Sequence, residues 1–402
     1  MTTMPRSERL HGLDALRGFA LLLGVVLHAS MSYLPGSEYF WIASDGQASR
    51  ALAGGFHWIH SFRMTLFFVL AGYFGRLALH RRGVAGFVRD RGMRIVLPLV
   101  VLWPPMFASI IALTLWSAWL KHGGAPAAGP MPPLTMRTVP LTHLWFLYLL
   151  TLLYAAMLAA RALLHRIDRD GRAQALLDRV AGAIGGAWAA PVLAVPAMLA
   201  LVSLPAWWHW FGIPAPDIGL VPNRAACVAY GVAFLAGWTL HRQPALLSAL
   251  PRRWAINLGI ALIASATCFG LVGSTPPAAP AAGDARTWLY AFAYATAGWA
   301  WSLALIGLAL RFLDARSPAR RYLADASYWI YLVHLPLLLV AQTLAGRVWL
   351  PWWIELPAML AAVLALSLLS YQVLVRGTWI GAWLNGRRAS RQPHLRPCPA
   401  AS

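Results

Sequence analysis

Residues 95–120 read IVLPLVVLWPPMFASIIALTLWSAWL, a stretch that contains no charged side chain. A helix of about 20 apolar residues is long enough to cross a hydrocarbon core of about 30 Å. Pro104 and Pro105 interrupt this stretch, but membrane helices tolerate proline when neighbouring helices cover the freed backbone groups. The stretch therefore predicts a membrane-spanning helix.

The same pattern recurs along the whole chain, in which 59% of residues are hydrophobic and 11% are charged. Soluble domains carry roughly a quarter charged residues, so this composition excludes an ordinary soluble protein. We predict an all-α, polytopic membrane protein with about ten transmembrane helices. The apolar runs cover approximately 13–34, 56–79, 95–120, 142–164, 183–211, 223–240, 254–274, 288–310, 322–345 and 352–375.

The positive charge follows the loops between these runs. A net charge of +20 would indicate nucleic acid in a soluble protein, but here the basic residues form short clusters between apolar runs. With the N-terminus inside, 25 basic residues fall on the inner side and six on the outer side. This bias predicts cytoplasmic N- and C-termini, membrane lipids as partners and no nucleic-acid partner.

Three further segments have their own interpretations. Residues 1–32 also resemble a cleaved secretory signal peptide, but the apolar run continues past His28 and Arg17 interrupts its start, which favours a retained helix. The Ala-, Pro- and Gly-rich segments Gly123–Pro133 and Ser274–Gly283 predict flexible exposed connections. The three cysteines have neither disulfide nor metal-ligand spacing, so we predict no metal site.

Ionisable residues inside the membrane are costly, so each marks a candidate functional position. The first helix carries Asp14, Arg17 and His28. Arg17 and His28 are eleven residues apart, so they share one helix face about 16 Å apart. Asp14 lies one turn from Arg17 and can neutralise it. The alternative is an Arg that extends to the inner surface and a His that bonds a loop carbonyl.

Other polar residues reach the outer half of the membrane from separate helices. Arg63 lies about two turns below the outer surface, which indicates a buried anionic partner, either a ligand or an ion pair with Glu355 or Asp325. On the ninth helix three polar residues share one face. The candidates for a converging polar site, besides Arg63 and His28, are His60, His143, Ser327, Tyr331 and His334.

The loop from Arg76 to Arg94 carries six arginines on the predicted cytoplasmic side. Such clusters set topology and bind lipid head groups. The spacing of Arg91 and Arg94 also suits phosphate groups, which arginine binds bidentately.

These features together resemble the membrane-bound acyltransferase-3 family. The resemblance rests on LDALRG at 13–18 followed by His28, FFVLAGYF at 67–74, Arg91-x-x-Arg94, and SYWIYLVH at 327–334. Within the family, SFRMTLFF at 61–68 and HLWFL at 143–147 are most similar to the glucan biosynthesis protein C branch, which is associated with succinylation of periplasmic glucans. The resemblance implies an acyltransferase-3-like transmembrane domain over residues 1–380, with 381–402 as a disordered cytoplasmic tail.

The resemblance also implies a function: transfer of a succinyl or acetyl group from cytoplasmic acyl-CoA to a hydroxyl of an extracytoplasmic carbohydrate. The enzyme would lie in the bacterial inner membrane, with acyl-CoA as co-substrate and no bound cofactor. His28 would be the general base, or would carry the acyl group. Arg17 would orient the donor or hold the helix, and Asp14 would fix Arg17, which completes the catalytic set. Arg91 and Arg94 would hold the CoA phosphates, and the remaining polar candidates would bind substrate, with Arg63 pairing a succinyl carboxylate.

Two other classes of protein fit the composition. A polysaccharide or glycolipid transporter or flippase would also contain buried polar residues and broken helices, but would predict inverted repeats, for which the sequence offers no matching polar positions. A structural or sensing membrane protein would leave the convergence of histidines without an explanation.

Overall fold

The computed structural model describes residues 10–44, 46–123, 133–277, 279–348 and 350–385. The expectations for Arg6, Arg9, most of the 123–133 segment and the tail beyond 385 lie outside these residues. The described chain forms twelve helices and no strand. They are α1 His11–Ser30, α2 Arg50–Arg91, α3 Leu97–His122, α4 Trp145–Ile167, α5 Arg172–Ile184, α6 Ala189–Val202, α7 Arg224–Arg242, α8 Pro244–Val272, α9 Ala285–Phe312, α10 Pro318–Ala345, α11 Trp352–Ser370 and α12 Trp379–Asn385.

The all-α membrane architecture is confirmed. Seven helical stretches of the described residues are long and apolar enough to cross a membrane, or eight if the bent pair α5–α6 counts as one span. One of the seven, Arg50–Lys121, contains both α2 and α3, which the sequence predicts as two crossings. Gly83 interrupts α2 with a φ of 66° and a ψ of −179°, a conformation that is essentially restricted to glycine. The count of about ten crossings and the side of each terminus remain predictions.

The run at 183–211 differs from the single helix that we expected. Only its first two residues belong to the end of α5, and its middle part forms α6. The two helices meet at an angle of 110° around Gly185 and Gly186. The helix α6 ends at Val202, shortly before Pro205. A 3₁₀ turn at His209–Phe211 follows in the loop toward α7. Glycine and proline break the helical hydrogen-bond ladder at both points, so hydropathy alone overestimated the length of this span.

Close helix packing depends on small residues. A Cβ atom at Gly72 of α2 would collide with the carbonyl of Phe234 on α7, and one at Gly237 of α7 would collide with the carbonyl of Val69 on α2. The two glycines thus allow α2 and α7 to approach backbone to backbone, the usual arrangement where membrane helices pack without a hydrophobic driving force.

The helices α1 and α10 run side by side in the same direction. The backbone nitrogen of Gly12 bonds Asp314, just before α10, a Cβ atom at Gly18 would touch Ala324, and His28 meets His334. The arginine clusters lie at the end of the bundle that contains Gly12 and Asp314, and we call this the basic end. The charge bias predicts that the basic end faces the cytoplasm.

Candidate active site

A cavity of about 40 Å³ lies between α1, α2, α10 and the start of α4. Its polar lining comprises His28, Arg63, His143, Tyr331 and His334, and its apolar lining includes Met64 and Phe146. The structure therefore brings together five residues that the sequence singled out in four separate parts of the chain. The cavity has room for a few water molecules and not for a sugar, so a substrate must displace side chains to enter.

A chain of hydrogen bonds fixes the tautomer of His28. Nδ1 of His334 lies 2.8 Å from the carbonyl of Tyr331, which can only accept, so this nitrogen carries the proton. In a neutral ring Nε2 of His334 then accepts, and it lies 2.9 Å from Nδ1 of His28. Nδ1 of His28 is therefore the donor, and the lone pair of its Nε2 is available for a proton. Because the chain ends in a backbone carbonyl, it holds the ring as the third member of a catalytic triad would.

Trp41 and Gln342 hold the end of α1 that carries His28. The side-chain amide of Gln342 donates to the carbonyl of His28 at 3.0 Å and to that of Ala29 at 3.3 Å. Its oxygen accepts from the indole of Trp41 at 3.0 Å, and the Trp41 ring stacks on His28 with centroids 6.0 Å apart. The sequence interpretation missed both residues. Gln342 carried a usable signal, since it is a buried polar residue in an apolar helix.

Arg63 lacks a counter-ion among the described residues. Its Nε atom is enclosed without a hydrogen-bond partner, and none of the ion pairs of the described chain includes it. Glu355, one of the two expected partners, accepts a hydrogen bond from Tyr33 at 2.8 Å. The absence of a Cβ at Gly24 leaves the space that Nη1 of Arg63 occupies. An enclosed guanidinium without a carboxylate is the feature expected of a site for an anionic group.

His143 offers a second enclosed nitrogen. Its Nε2 lies 3.2 Å from the carbonyl of Leu332 and donates to it, whereas Nδ1 has no partner in the described structure. The preceding residue, Thr142, has a φ of 53°, the one positive value among the described non-glycine residues. A β-branched residue is strained in this conformation, and such strain is concentrated at functional sites.

Two of the expected substrate residues do not line the cavity. His60 contacts the hydroxyl of Tyr294 through Nδ1 at 3.2 Å and stacks on Phe56. The Ser327 hydroxyl donates to the carbonyl of Ala324 in its own helix. The neighbouring Tyr328 continues the polar stripe instead, because it lies three residues from Tyr331 and stacks with it at 6.3 Å.

The structure places Asp14 and Arg17 far from the cavity. Nη2 of Arg17 lies 3.7 Å from Asp14, and its guanidinium covers the ring of Phe74 at 5.4 Å. The charge of Arg17 also acts on Arg94 at the basic end. By its position Arg17 belongs with the arginines predicted to hold the donor, about three helical turns from His28.

The arginines of the basic end surround Asp90, which the sequence interpretation did not consider. The side chain of Asp90 is 7% exposed and pairs with Arg82, with Arg91 at 3.3 Å and with Arg94 at 3.2 Å. The segment Gly92–Val96 is a π-helix, a rare form that often marks functional sites. The hydroxyl of Tyr328 donates to the carbonyl of Arg94 at 2.6 Å, so α10 connects this segment to the cavity.

Comparisons with known proteins identify the family of the chain. A family model described as an acyltransferase domain matches residues 10–372. The chain is also similar to Glucans biosynthesis protein C of Escherichia coli strains K12, SMS-3-5 and O1:K1, with 29% identity over 154 residues. Each of these matches covers 37% of this chain and only 37% of the relative. No solved structure matches the chain.

Proposed function

The chain belongs to the acyltransferase-3 family, and from this premise we propose that it is a membrane-bound O-acyltransferase. In the proposal an acyl group passes from cytoplasmic acyl-CoA to a hydroxyl of an extracytoplasmic carbohydrate, in a bacterial inner membrane. The name of the similar Escherichia coli proteins favours a glucan as acceptor. The branch resemblance favours a periplasmic glucan and a succinyl or acetyl group.

The observation that carries the proposal is the hydrogen-bond chain at His28. The ring of His28 is a neutral base, and its hydrogen bond to His334 leaves the lone pair on Nε2. It removes the proton of the acceptor hydroxyl as the oxygen attacks the thioester carbonyl. The carbon–sulfur bond breaks, and the CoA thiolate takes the proton from the imidazolium. In the alternative, Nε2 itself attacks the thioester carbonyl, the carbon–sulfur bond breaks and CoA leaves as the thiolate. The acceptor hydroxyl then attacks the acyl-histidine, its proton passes to the CoA thiolate, and the neutral ring is restored.

Arg63 supplies positive charge where the reaction develops negative charge. In the small cavity its free N–H groups are available to the oxyanion of the tetrahedral intermediate. If the acyl group is succinyl, its free carboxylate is a second possible partner of the fork-shaped guanidinium. The unpartnered Nδ1 of His143 accepts a hydrogen bond from a second substrate group.

The donor would be held at the basic end. Arg82, Arg91 and Arg94 share the single charge of Asp90, so the group keeps a positive excess for the phosphates of CoA. The distance from Arg17 to His28 along α1, about 16 Å, suits the extended pantetheine arm that would cross the inner leaflet between them.

The test is acyl transfer by the purified protein in liposomes, with His28→Ala compared with wild type and with His165→Gln. His165 is an exposed histidine at the other end of α4, and its variant controls for the loss of an imidazole. Mass spectrometry of envelope glycans from complemented cells identifies the acyl group and the acceptor. Normal acylation by His28→Ala would overturn the assignment of His28. Passage of glycan across the liposome bilayer without consumption of acyl-CoA would favour the transporter instead.

A further inference from the structure

A second pocket, of about 370 Å³, opens at the end of the bundle opposite the basic end. It lies between the loop that follows α6 and the segment that joins α8 to α9. The lining includes His209, Pro277, Ala282, Arg286 and Tyr290. We call it the outer pocket. Its volume is typical of sites for small molecules, about 300–1,000 Å³, whereas the cavity at His28 is far smaller.

The wall of the outer pocket includes Pro277 and residues 279–282, which belong to the stretch that the sequence predicts as a flexible exposed connection. The backbone nitrogen of Ala281 donates to the carbonyl of Trp207 at 2.8 Å. Asp284 then caps α9 by accepting from the backbone of Thr287 at 2.8 Å. The first bond joins the segment to the neighbouring loop, and the second fixes the point at which the segment enters α9.

The chemistry of the outer pocket suits a neutral, hydroxyl-rich ligand. Nδ1 of His209 is enclosed and has no partner among the described residues. His209 lies in a loop outside the membrane-spanning helices, where burial and the charge of Arg286 lower its pKa, so its ring is neutral at neutral pH. Asp284 beside Arg286 balances the one positive charge. The ring of Tyr290, 5.3 Å from that of His209, adds an aromatic surface.

The helices α2 and α9 connect the outer pocket to the catalytic cavity. His57 bonds the hydroxyl of Tyr290 at 2.9 Å, and one turn further in His60 contacts that of Tyr294 at 3.2 Å. Arg63, which lines the cavity, follows one turn later, so His57 and Arg63 are about 9 Å apart along α2. A row of polar side chains therefore leads from one site to the other.

We propose that the outer pocket is a docking subsite for a sugar unit of the acceptor, remote from the unit that is acylated. The acceptor is then a carbohydrate chain of several units, because a monosaccharide cannot occupy the pocket and present a hydroxyl to His28 at once. The inference rests on the proposed acyl transfer and adds the length of the acceptor to it.

The test compares a six-unit gluco-oligosaccharide with methyl glucoside as acceptors. Ala282→Trp fills the outer pocket and His209→Ala removes its free nitrogen. Ala215→Trp adds the same ring to an exposed position of the loop before α7 that does not line the pocket. We expect His209→Ala to raise the KM for the oligosaccharide about three- to tenfold, the effect of one or two lost hydrogen bonds. Ala282→Trp should raise it further. The kcat and the transfer to methyl glucoside should remain at wild-type values, as should all parameters of Ala215→Trp.

Direct binding separates this inference from the proposed function. Calorimetric titration of the protein in detergent with the oligosaccharide should show binding to wild type and to His28→Ala, and none to Ala282→Trp. A wild-type KM for the oligosaccharide in Ala282→Trp, or unchanged binding, would overturn the inference while leaving acyl transfer intact. Binding without any transfer by wild type would instead contradict the proposed function and retain the subsite.

Discussion

The hydrogen bond from His28 to His334 makes His334→Ala a sharp perturbation of the proposed mechanism. The substitution leaves the Nδ1–H of His28 without its acceptor and frees the ring to adopt the other tautomer. An unsatisfied buried donor costs about 1–3 kcal/mol, which corresponds to a fall of roughly five- to 150-fold in kcat/KM. Removing the base itself, in His28→Ala, should cost more, about 10²- to 10⁴-fold.

The two effects should not add, because His334 acts only through His28. The double variant should therefore be no slower than His28→Ala alone. His334→Gln should recover part of the activity, since its amide can donate to the carbonyl of Tyr331 and accept from His28. The assay is transfer from labelled acyl-CoA in liposomes, with unfolding temperatures as a control for folding. Wild-type activity in His334→Ala would refute the role of the hydrogen-bond chain. Losses of activity that add in the double variant would refute it as well.

Three further substitutions test other parts of the structure. Arg63→Met should abolish transfer. It should leave the unfolding temperature in detergent unchanged or higher, because it removes an unpaired buried charge. A large fall in the unfolding temperature would indicate that Arg63 forms a structural ion pair. Gly237→Ala should lower the free energy of unfolding by about 1–3 kcal/mol, because its Cβ atom collides with the backbone of α2. Gly259→Ala is the control, because a Cβ atom there meets no atom within 4 Å. Equal stabilities of the two variants would contradict the packing of α2 against α7. Thr142→Gly should unfold at the same or a higher temperature, because the left-handed conformation costs a non-glycine residue about 1–2 kcal/mol, and Thr142→Val should show no such gain.

The helices and the face that carries His28 were predictable because the helical period is local. Arg17 and His28 share a stripe from spacing alone, and buried polar residues are costly enough in lipid to point to a common site. The partners of those residues were not predictable. His28 donates a hydrogen bond to His334, and Gln342 donates one to the backbone at the end of α1. Both bonds depend on how α1 and α10 pack side by side, which the sequence of a single helix does not specify.

The errors also have local causes. Hydropathy extended the fifth run through Gly185, Gly186 and Pro205, where backbone geometry and not polarity ends the helices. The sequence interpretation counted the arginines of the basic end and did not consider Asp90 as their partner. The spacing of Asp90 and Arg94 is that of an i, i+4 ion pair on a helix. Ser327 fitted the polar stripe by number, but a helical serine can bond a carbonyl of its own helix, and Ser327 does so.

The basic end and the cavity at His28 both carry more positive than negative charge. At the basic end Asp90 is shared among three arginines, and in the cavity Arg63 has no counter-ion among the described residues. Both places therefore have unbalanced positive charge, and the tyrosines of α10 lie between them. An acyl-CoA bound between the two places would have its phosphates at the basic end. Its reacting carbonyl oxygen, which gains negative charge during attack, would lie beside Arg63 in the cavity. The surplus of charge thus favours a ligand with two separated anionic centres, one permanent and one formed in the reaction, over a neutral glycolipid in transit.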